Sequence, residues 1–348
     1  MRVRWSQSKR FYLFVLLVLL IFSVGDFNPV KAQEKLIPIK VTLGDVSLNK
    51  LIFVVAKEAG LYEKNGLDVD EFITPGAADT VRRSGVNVAK EHVRSSEGMD
   101  IPITIGGGSP TLVGMTVDSR AVPRIIVLST DNRVRWKIIS GPNLTSPQQL
   151  KGKRLGYSGY GSMTHFMAIV FAKRMGWDPD KDISLMENAL NVEALQKGHV
   201  DAFVADEIAE TMAVTSGYKI LEDMHPYDVP IAGSGVNVSK EWLKTNRETV
   251  RKFVKSAVEA IALTKQQPEI AYSAMAKWYG MKEPEKQKYF YKEMAKLERK
   301  PYPAVEGIKK VMEIYNYHEM NSHKAEDFYD DSFVKELDKS GYIDSLYK

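Results

Sequence analysis

Residues 154–176 read RLGYSGYGSMTHFMAIVFAKRMG and carry the clearest topological signal in the chain. The pattern predicts a short strand over residues 154–157, a glycine-rich turn, and a helix over residues 162–175 that ends at Gly176. Short apolar runs and amphipathic stretches alternate in the same way before and after this segment. A β-α-β-α order of this kind predicts mostly parallel sheets with helices on both faces.

The turn over residues 156–164 is the first candidate binding site, because ligands of open α/β sheets bind beyond the carboxyl ends of the strands. Glycines let the backbone approach a ligand closely, and the first amides of the next helix suit an anion. Ser158, Ser162 and Thr164 add hydroxyl groups. The turn is neither a dinucleotide fingerprint nor a P-loop. A purely structural turn, with Ser162 capping the helix, is the alternative.

Residues 44–49 and 106–111 form similar loops after two earlier predicted strands. Ser47 in the first loop can reach a ligand or cap the next helix. In the second loop, Ser109 and Pro110 are typical of a helix start. The amides of this second loop would also offer a second set of donors, so both interpretations are kept for each loop.

Asp206 and Glu207 follow the predicted strand that ends at Ala205. Capping a helix is the commoner role of such residues. If they face a cleft, they favour a ligand that carries an amine. Trp136 lies on an extended segment, where it can line a cleft or pack in the core.

The sequence gives little support for catalysis. It contains no cysteine, which excludes disulfides, thiolate metal sites and a thiol nucleophile. Its six histidines include no H-x-x-x-H pair, and no G-x-S-x-G motif is present. His165 is the one candidate for a catalytic histidine, and helix packing is its commoner role. We therefore expect no catalytic residue, no metal and no cofactor.

The first 32 residues predict a signal peptide. A basic start precedes an apolar run over residues 11–24, and Val30-Lys31-Ala32 fits cleavage after Ala32. The run is shorter than the roughly 20 apolar residues of a spanning helix; an uncleaved anchor is the alternative. Removing five basic residues and one acidic residue from the 48 basic and 44 acidic ones leaves 43 of each. A neutral chain gives no support for nucleic-acid binding.

Several segments together resemble the SsuA-type substrate-binding proteins of ABC importers for nitrate, sulfonates, taurine and related solutes. This family overlaps with binders of thiamine-pyrimidine precursors. The resemblance covers roughly residues 37–265. Its segments are EAGLYEKNGLDV (58–69), GGGSP (106–110), LKGKRLGYS (150–158), the loop 159–164 and LQKGHVDA (195–202).

The resemblance implies a type II periplasmic-binding fold, in which two α/β lobes enclose a cleft. We expect lobe 1 to comprise residues 33–130 and 232–348, and lobe 2 to comprise residues 131–231. Two crossover strands, around residues 128–137 and 220–233, would join them. The family's pocket maps onto Ser47, Ser109, Ser158, Tyr160, Ser162 and Thr164. We add Asp206 because of its place after a strand.

The expected function is delivery of a small, anionic solute to an ABC permease and ATPase by cleft closure. The protein would be a periplasmic monomer with no lipid anchor, no nucleic-acid partner and contact with the membrane only through the transporter. An enzyme of pyrimidine or sulfur metabolism on the same fold, or a periplasmic sensor, are the alternatives. Asp206 and Glu207 stand where the family often has an aromatic-proline pair, which leaves the solute class open.

Overall fold

The computed structural model describes residues 35–118, 121–315 and 317–348. The predicted signal peptide lies outside these ranges. Within them, every helix is too short or too polar to cross a membrane. The strands form two five-stranded sheets. They are β1 Ile37–Leu43, β2 Leu67–Ile73, β3 Ile103–Gly107, β4 Arg124–Ser129, β5 Lys137–Ser140, β6 Arg154–Gly156, β7 Ser184–Met186, β8 Ala202–Ala205, β9 Lys219–Asp223 and β10 Ser234–Ser239.

The two sheets have the same internal arrangement. The strand order is β2-β1-β3-β10-β4 in the first sheet and β7-β6-β8-β5-β9 in the second. In each, the first three strands are parallel. The fourth strand, β10 or β5, runs antiparallel to both of its neighbours. Four of the five strands in each sheet therefore run in the same direction, but only two of the four strand pairings are parallel, so the sheets are mixed and less parallel than the sequence predicts.

The helices cover these sheets and fill the C-terminal third of the chain. They are α1 Leu48–Glu58, α2 Leu61–Lys64, α3 Pro75–Arg83, α4 Gly108–Val117, α5 Met163–Arg174, α6 Val192–Gln196, α7 Glu207–Thr215, α8 Lys240–Leu243, α9 Arg247–Gln266, α10 Pro268–Trp278, α11 Pro284–Met294, α12 Val305–Tyr315, α13 Ser332–Lys339 and α14 Tyr342–Ser345.

The helix predicted over residues 162–175 is α5, and its local sequence explains its limits. The Ser162 side chain caps the helix by accepting a hydrogen bond from the backbone N–H of His165 at 3.1 Å. After the last turn, Gly176 has a φ of +74°, a conformation that glycine adopts at little cost. Phe166 and Phe171 on this helix are fully buried against the second sheet.

Two connecting segments, residues 130–136 and 224–233, join the sheets and pair with each other. The N–H of Val134 donates to the carbonyl oxygen of Val229 at 3.1 Å, and the N–H of Ile231 donates to that of Asn132 at 3.1 Å. Because only two short segments cross, small changes in their dihedral angles can move one sheet relative to the other. The predicted lobe boundaries lie within these segments and stay a prediction.

The helix α12 packs against elements around both sheets. Ile308 and Val311 are fully buried in the same cluster as Leu112 of α4 and Phe166 of α5. At Gly307 the helix backbone rests directly on a connecting segment. A Cβ atom added there would lie only 2.0 Å from the carbonyl carbon of Ile231. Glycine is therefore required for this close backbone contact.

The charged stretch 282–300 contains α11, and one face of this helix is buried rather than solvated. Phe290 and Met294 are fully buried in the core around the first sheet. The hydroxyl of Tyr289 donates to Glu210 on α7 at 2.7 Å. The apolar residues within this charged stretch share one face of the helix, and that face is buried.

Candidate functional site

A cavity of about 320 Å³ lies between the two sheets, where the carboxyl ends of their parallel strands face each other. The starts of five helices, α1, α3, α4, α5 and α7, border it. This position follows from the topology, because each of these helices begins directly after a parallel strand. The cavity is therefore surrounded by backbone amides and by the polar residues that begin the helices.

Five of the seven residues predicted to contact a ligand line the cavity. They are Ser47, Ser158, Ser162, Thr164 and Asp206. Ser109 and Tyr160 are not among the described residues that line it, and the structure gives each of them another role.

Ser109 holds the two sides of the cavity together and is fully buried. Its Oγ donates to the carbonyl oxygen of Gly161 at 3.1 Å. The backbone amides of Gly108 and Ser109 donate to Gly233 and Ala232 of a connecting segment, at 2.7 and 3.1 Å. The amides expected to hold a ligand are thus already used inside the protein.

Tyr160 points away from the cavity, and 60% of the residue is exposed. Its hydroxyl is hydrogen-bonded to the hydroxyl of Tyr317. His165 has a packing role, since its ring stacks on Tyr157 with centroids 4.6 Å apart. Its Nδ1 accepts a hydrogen bond from the N–H of Gly161 at 3.2 Å. Burial lowers the pKa of His165, as expected for a ring packed among aromatic side chains.

One wall of the cavity is polar and uncharged. The Oγ1 of Thr164 accepts a hydrogen bond from the backbone N–H of Ser158 at 2.9 Å. It also lies 2.7 Å from the Oγ of Ser158 and 3.0 Å from the Oγ of Ser162. These contacts order the predicted glycine-rich turn and place three hydroxyl groups at the start of α5.

A second wall is charged, and it contains Lys50 and Asp131, which the sequence analysis missed. Lys50 is only 2% exposed. Its Nζ lies 2.6 Å from the carboxylate of Asp45 and donates to the Oγ of Ser234 at 2.5 Å. Asp131 accepts a hydrogen bond from the side chain of Asn49 at 3.2 Å. A lysine directly before the apolar stretch 51–56 is the sequence signal that could have indicated a buried ion pair.

A second ion-pair group connects this wall to α7. The guanidinium of Arg135 lies 2.9 Å from Asp131 and 4.0 Å from Glu207. Glu207 is 2% exposed and borders the cavity. Beside it, Asp206 begins α7, and its Oδ1 accepts a hydrogen bond from the N–H of Ala209 at 2.8 Å. Asp206 and Glu207, the two acidic residues that follow β8, therefore both border the cavity.

Desolvation raises the pKa values of these carboxyl groups. For Glu207 burial raises the pKa to about 8, with Asp131 and Asp206 adding to the effect and Arg135 opposing it. Burial also raises the pKa of Asp206 to about 6, and the nearby Asp45 adds to this shift. The pKa of Asp131 is raised by burial in spite of Arg135. Part of the acidic wall therefore holds protons near neutral pH.

The charge of the lining does not favour the anionic solute expected from the sequence. Four carboxyl groups and one lysine border the cavity. The carboxyl groups that are ionised would repel a bound anion, which costs free energy unless the anion is paired.

Comparison with known proteins identifies the fold. Residues 109–271 match the family model described as NMT1/THI5 like. No curated protein sequence matches the chain. The periplasmic nitrate-binding protein NrtA from Synechocystis PCC 6803 superposes with a TM-score of 0.70 at 14% identity, covering 88% of this chain and 89% of NrtA.

Two further structures are similar. The periplasmic aliphatic sulphonate binding protein SsuA from Escherichia coli has a TM-score of 0.60 at 17% identity, covering 80% of this chain and 92% of SsuA. The desulfurization enzyme DszB has a TM-score of 0.57 at 14% identity, covering 87% of this chain and 99% of DszB. These likenesses show that the chain has the periplasmic binding protein fold, as the sequence predicts.

Proposed function

Starting from this fold, we propose that the chain is a periplasmic solute-binding protein that delivers a small solute to an ABC importer. The proposal rests on the cavity between the sheets. This cavity is lined by residues that follow strands of both sheets. NrtA and SsuA are described as periplasmic proteins that bind nitrate and aliphatic sulphonates. The predicted signal peptide supports export, and we propose a monomer that meets the permease and ATPase subunits.

Hydrogen bonds across the cleft support a mechanism of closure around the solute. Besides Ser109, the Oγ of Ser84 at the end of α3 donates to the carbonyl oxygen of Leu190 at 3.2 Å. Tyr289 makes the third such contact, with Glu210. A solute that touches both walls adds its own contacts to these and shifts the population towards the closed form. The connecting segments 130–136 and 224–233 would act as the hinge.

The composition of the cavity supports binding over catalysis. Among the described residues that line it, there is no histidine to act as a general base for a serine or threonine. The hydroxyls of Ser158 and Ser162 instead contact Thr164. DszB has the same fold and is an enzyme, but the fold alone does not carry an activity from one protein to another.

The proposal is tested by thermal-shift and small-angle X-ray scattering measurements on residues 33–348 with a panel of small solutes. A solute at 100 times its dissociation constant stabilises the folded protein by roughly 2.7 kcal/mol, and closure also makes the protein more compact. We expect both changes with the same solute. Chemical conversion of that solute by the purified protein would contradict the proposal and favour an enzyme.

A matched pair of variants locates the site. Thr80 on α3 lines the cavity, whereas its neighbour Asp79 is exposed on the outer side of the same helix. We expect Thr80→Trp to fill the cavity and abolish the thermal shift. Asp79→Trp adds the same side chain outside the cavity and should keep the shift. Equal responses from the two variants would place the solute elsewhere.

A further inference from the structure

Carboxyl groups outnumber basic groups around the cavity. The carboxyl groups of Asp45, Asp131, Asp206 and Glu207 border it, and the ammonium of Lys50 is the cation among its described lining residues. The guanidinium of Arg135 is not part of the described lining, but it contacts Asp131 and Glu207. Two cations therefore face four carboxyl groups.

Both cations are already held by specific partners. Lys50 is held between Asp45 and Ser234. Arg135 lies between Asp131 and Glu207, closer to the former. Neither side chain is free to turn towards an anionic solute without leaving a buried carboxylate unpaired, which is strongly unfavourable.

Helix capping explains only part of the acidic wall. It accounts for the Oδ1 of Asp206, which bonds to the N–H of Ala209. It does not account for Glu207, whose two carboxyl oxygens are buried without a hydrogen-bond partner on another residue in the described structure. The nearest cationic group lies 4.0 Å away. Buried acceptors of this kind are normally satisfied, so Glu207 lacks a donor that a bound molecule can supply.

The acidic groups also come from both sides of the cleft. Asp45 follows β1 of the first sheet, and Asp206 follows β8 of the second. Their mutual repulsion contributes to the raised pKa of Asp206. Closing the empty cleft brings these like charges together. A cation between them turns this repulsion into attraction, and so couples binding to closure.

Building on the proposed solute-binding function, we propose that the solute carries a positively charged nitrogen with N–H donors. Such a group is an ammonium, an amidinium or a guanidinium. Asp206, Glu207 and Asp45 receive this group. The hydroxyl wall at Ser158, Ser162 and Thr164 contacts the uncharged or weakly charged remainder of the molecule. A cation without N–H groups fits less well, because it leaves the oxygens of Glu207 without donors.

The first experiment identifies the solute. The protein is purified from the periplasm without denaturation, so that a bound solute stays with it. The solute is then released by denaturing the protein and is identified by mass spectrometry. In parallel, agmatine, tetramethylammonium, butane-1-sulfonate and nitrate are titrated by calorimetry. We expect the released solute, or agmatine, to bind through an N–H-bearing cation. Binding of a solute that has no positively charged nitrogen overturns this inference and leaves the proposed function intact. If no solute is released and no probe binds, the proposed function itself fails.

The second experiment tests the carboxyl groups. Asn is as good a helix cap as Asp, so Asp206→Asn removes the charge and preserves the start of α7. We expect this variant to bind the solute about 10- to 100-fold more weakly, with an unchanged urea midpoint. Glu207→Gln should weaken binding in the same direction. Asp68→Asn, at an exposed position of the edge strand β2, is the control and should bind normally. Unchanged affinity in Asp206→Asn and Glu207→Gln overturns the inference.

Discussion

Replacing Gly307 with alanine tests how α12 packs on the connecting segment. From helix propensity alone, the substitution should stabilise the helix by about 1 kcal/mol. In the structure, the new Cβ would lie 2.0 and 2.1 Å from the carbonyl carbon and oxygen of Ile231, and 2.3 Å from the nitrogen of Ala232. All three are backbone atoms, so no side chain can rotate to relieve the overlap.

Relief therefore requires moving α12 or the connecting segment. Overpacking of this kind typically costs about 1–3 kcal/mol, and rigid backbone neighbours favour the upper end. After the gain in helix propensity, we expect a net loss of about 2 kcal/mol in the free energy of unfolding. Urea denaturation followed by circular dichroism and by tryptophan fluorescence measures this change and tests for a single transition.

Gly114 in the middle of α4 provides the matched control. A Cβ atom added there meets nothing within 4 Å. Gly114→Ala should therefore gain up to about 1 kcal/mol from helix propensity. The two substitutions are chemically identical, and the structure predicts opposite signs for them. A Gly307→Ala variant as stable as the parent would refute the close packing of α12 on Ile231.

Three further predictions concern the cleft. Arg135→Met leaves the buried Asp131 without its cation and should cost about 3–5 kcal/mol in urea denaturation; a loss below 1 kcal/mol would contradict the ion-pair geometry. Burial raises the pKa of Glu207 to about 8 from the ordinary 4.5, so the folded state holds a proton that the unfolded state releases. Stability should fall as pH rises from about 5 to 9, and less steeply in Glu207→Gln; parallel denaturation midpoints in the two proteins would count against this. Ser109→Ala removes the hydrogen bond to Gly161 and should cost about 1–3 kcal/mol, with weaker solute binding by calorimetry; unchanged affinity would show that this contact does not contribute to closure.

The sequence predicts the parts of the fold that depend on local signals. The strand, turn and helix around Ser162 follow from a capping serine, a helical apolar pattern and the closing Gly176, all within a few residues of one another. The same holds for the capping role of Asp206. These features need no knowledge of distant parts of the chain, which explains why they agree with the structure.

The residues that the sequence analysis missed depend on distant partners. Lys50 is stabilised by Ser234, 184 positions away, and Asp131 by Asn49, 82 positions away. Ser109 was expected to face a ligand, because a helix start alone does not reveal which neighbour its amides reach. In the structure these amides donate hydrogen bonds to a connecting segment. The direction of such side chains is set by how the two sheets meet, and that is not encoded locally.

The shared arrangement of the sheets also has a consequence for the order in which they are completed during synthesis. In each sheet, the strand that runs antiparallel to its neighbours comes directly after one of the two connecting segments. For the second sheet this is β5, its first strand in sequence, so all five strands exist once residue 223 has been made. The first sheet waits for β10 at Ser234–Ser239, between β3 and β4. The sheet that begins at the N-terminus is therefore the second to be finished on the ribosome.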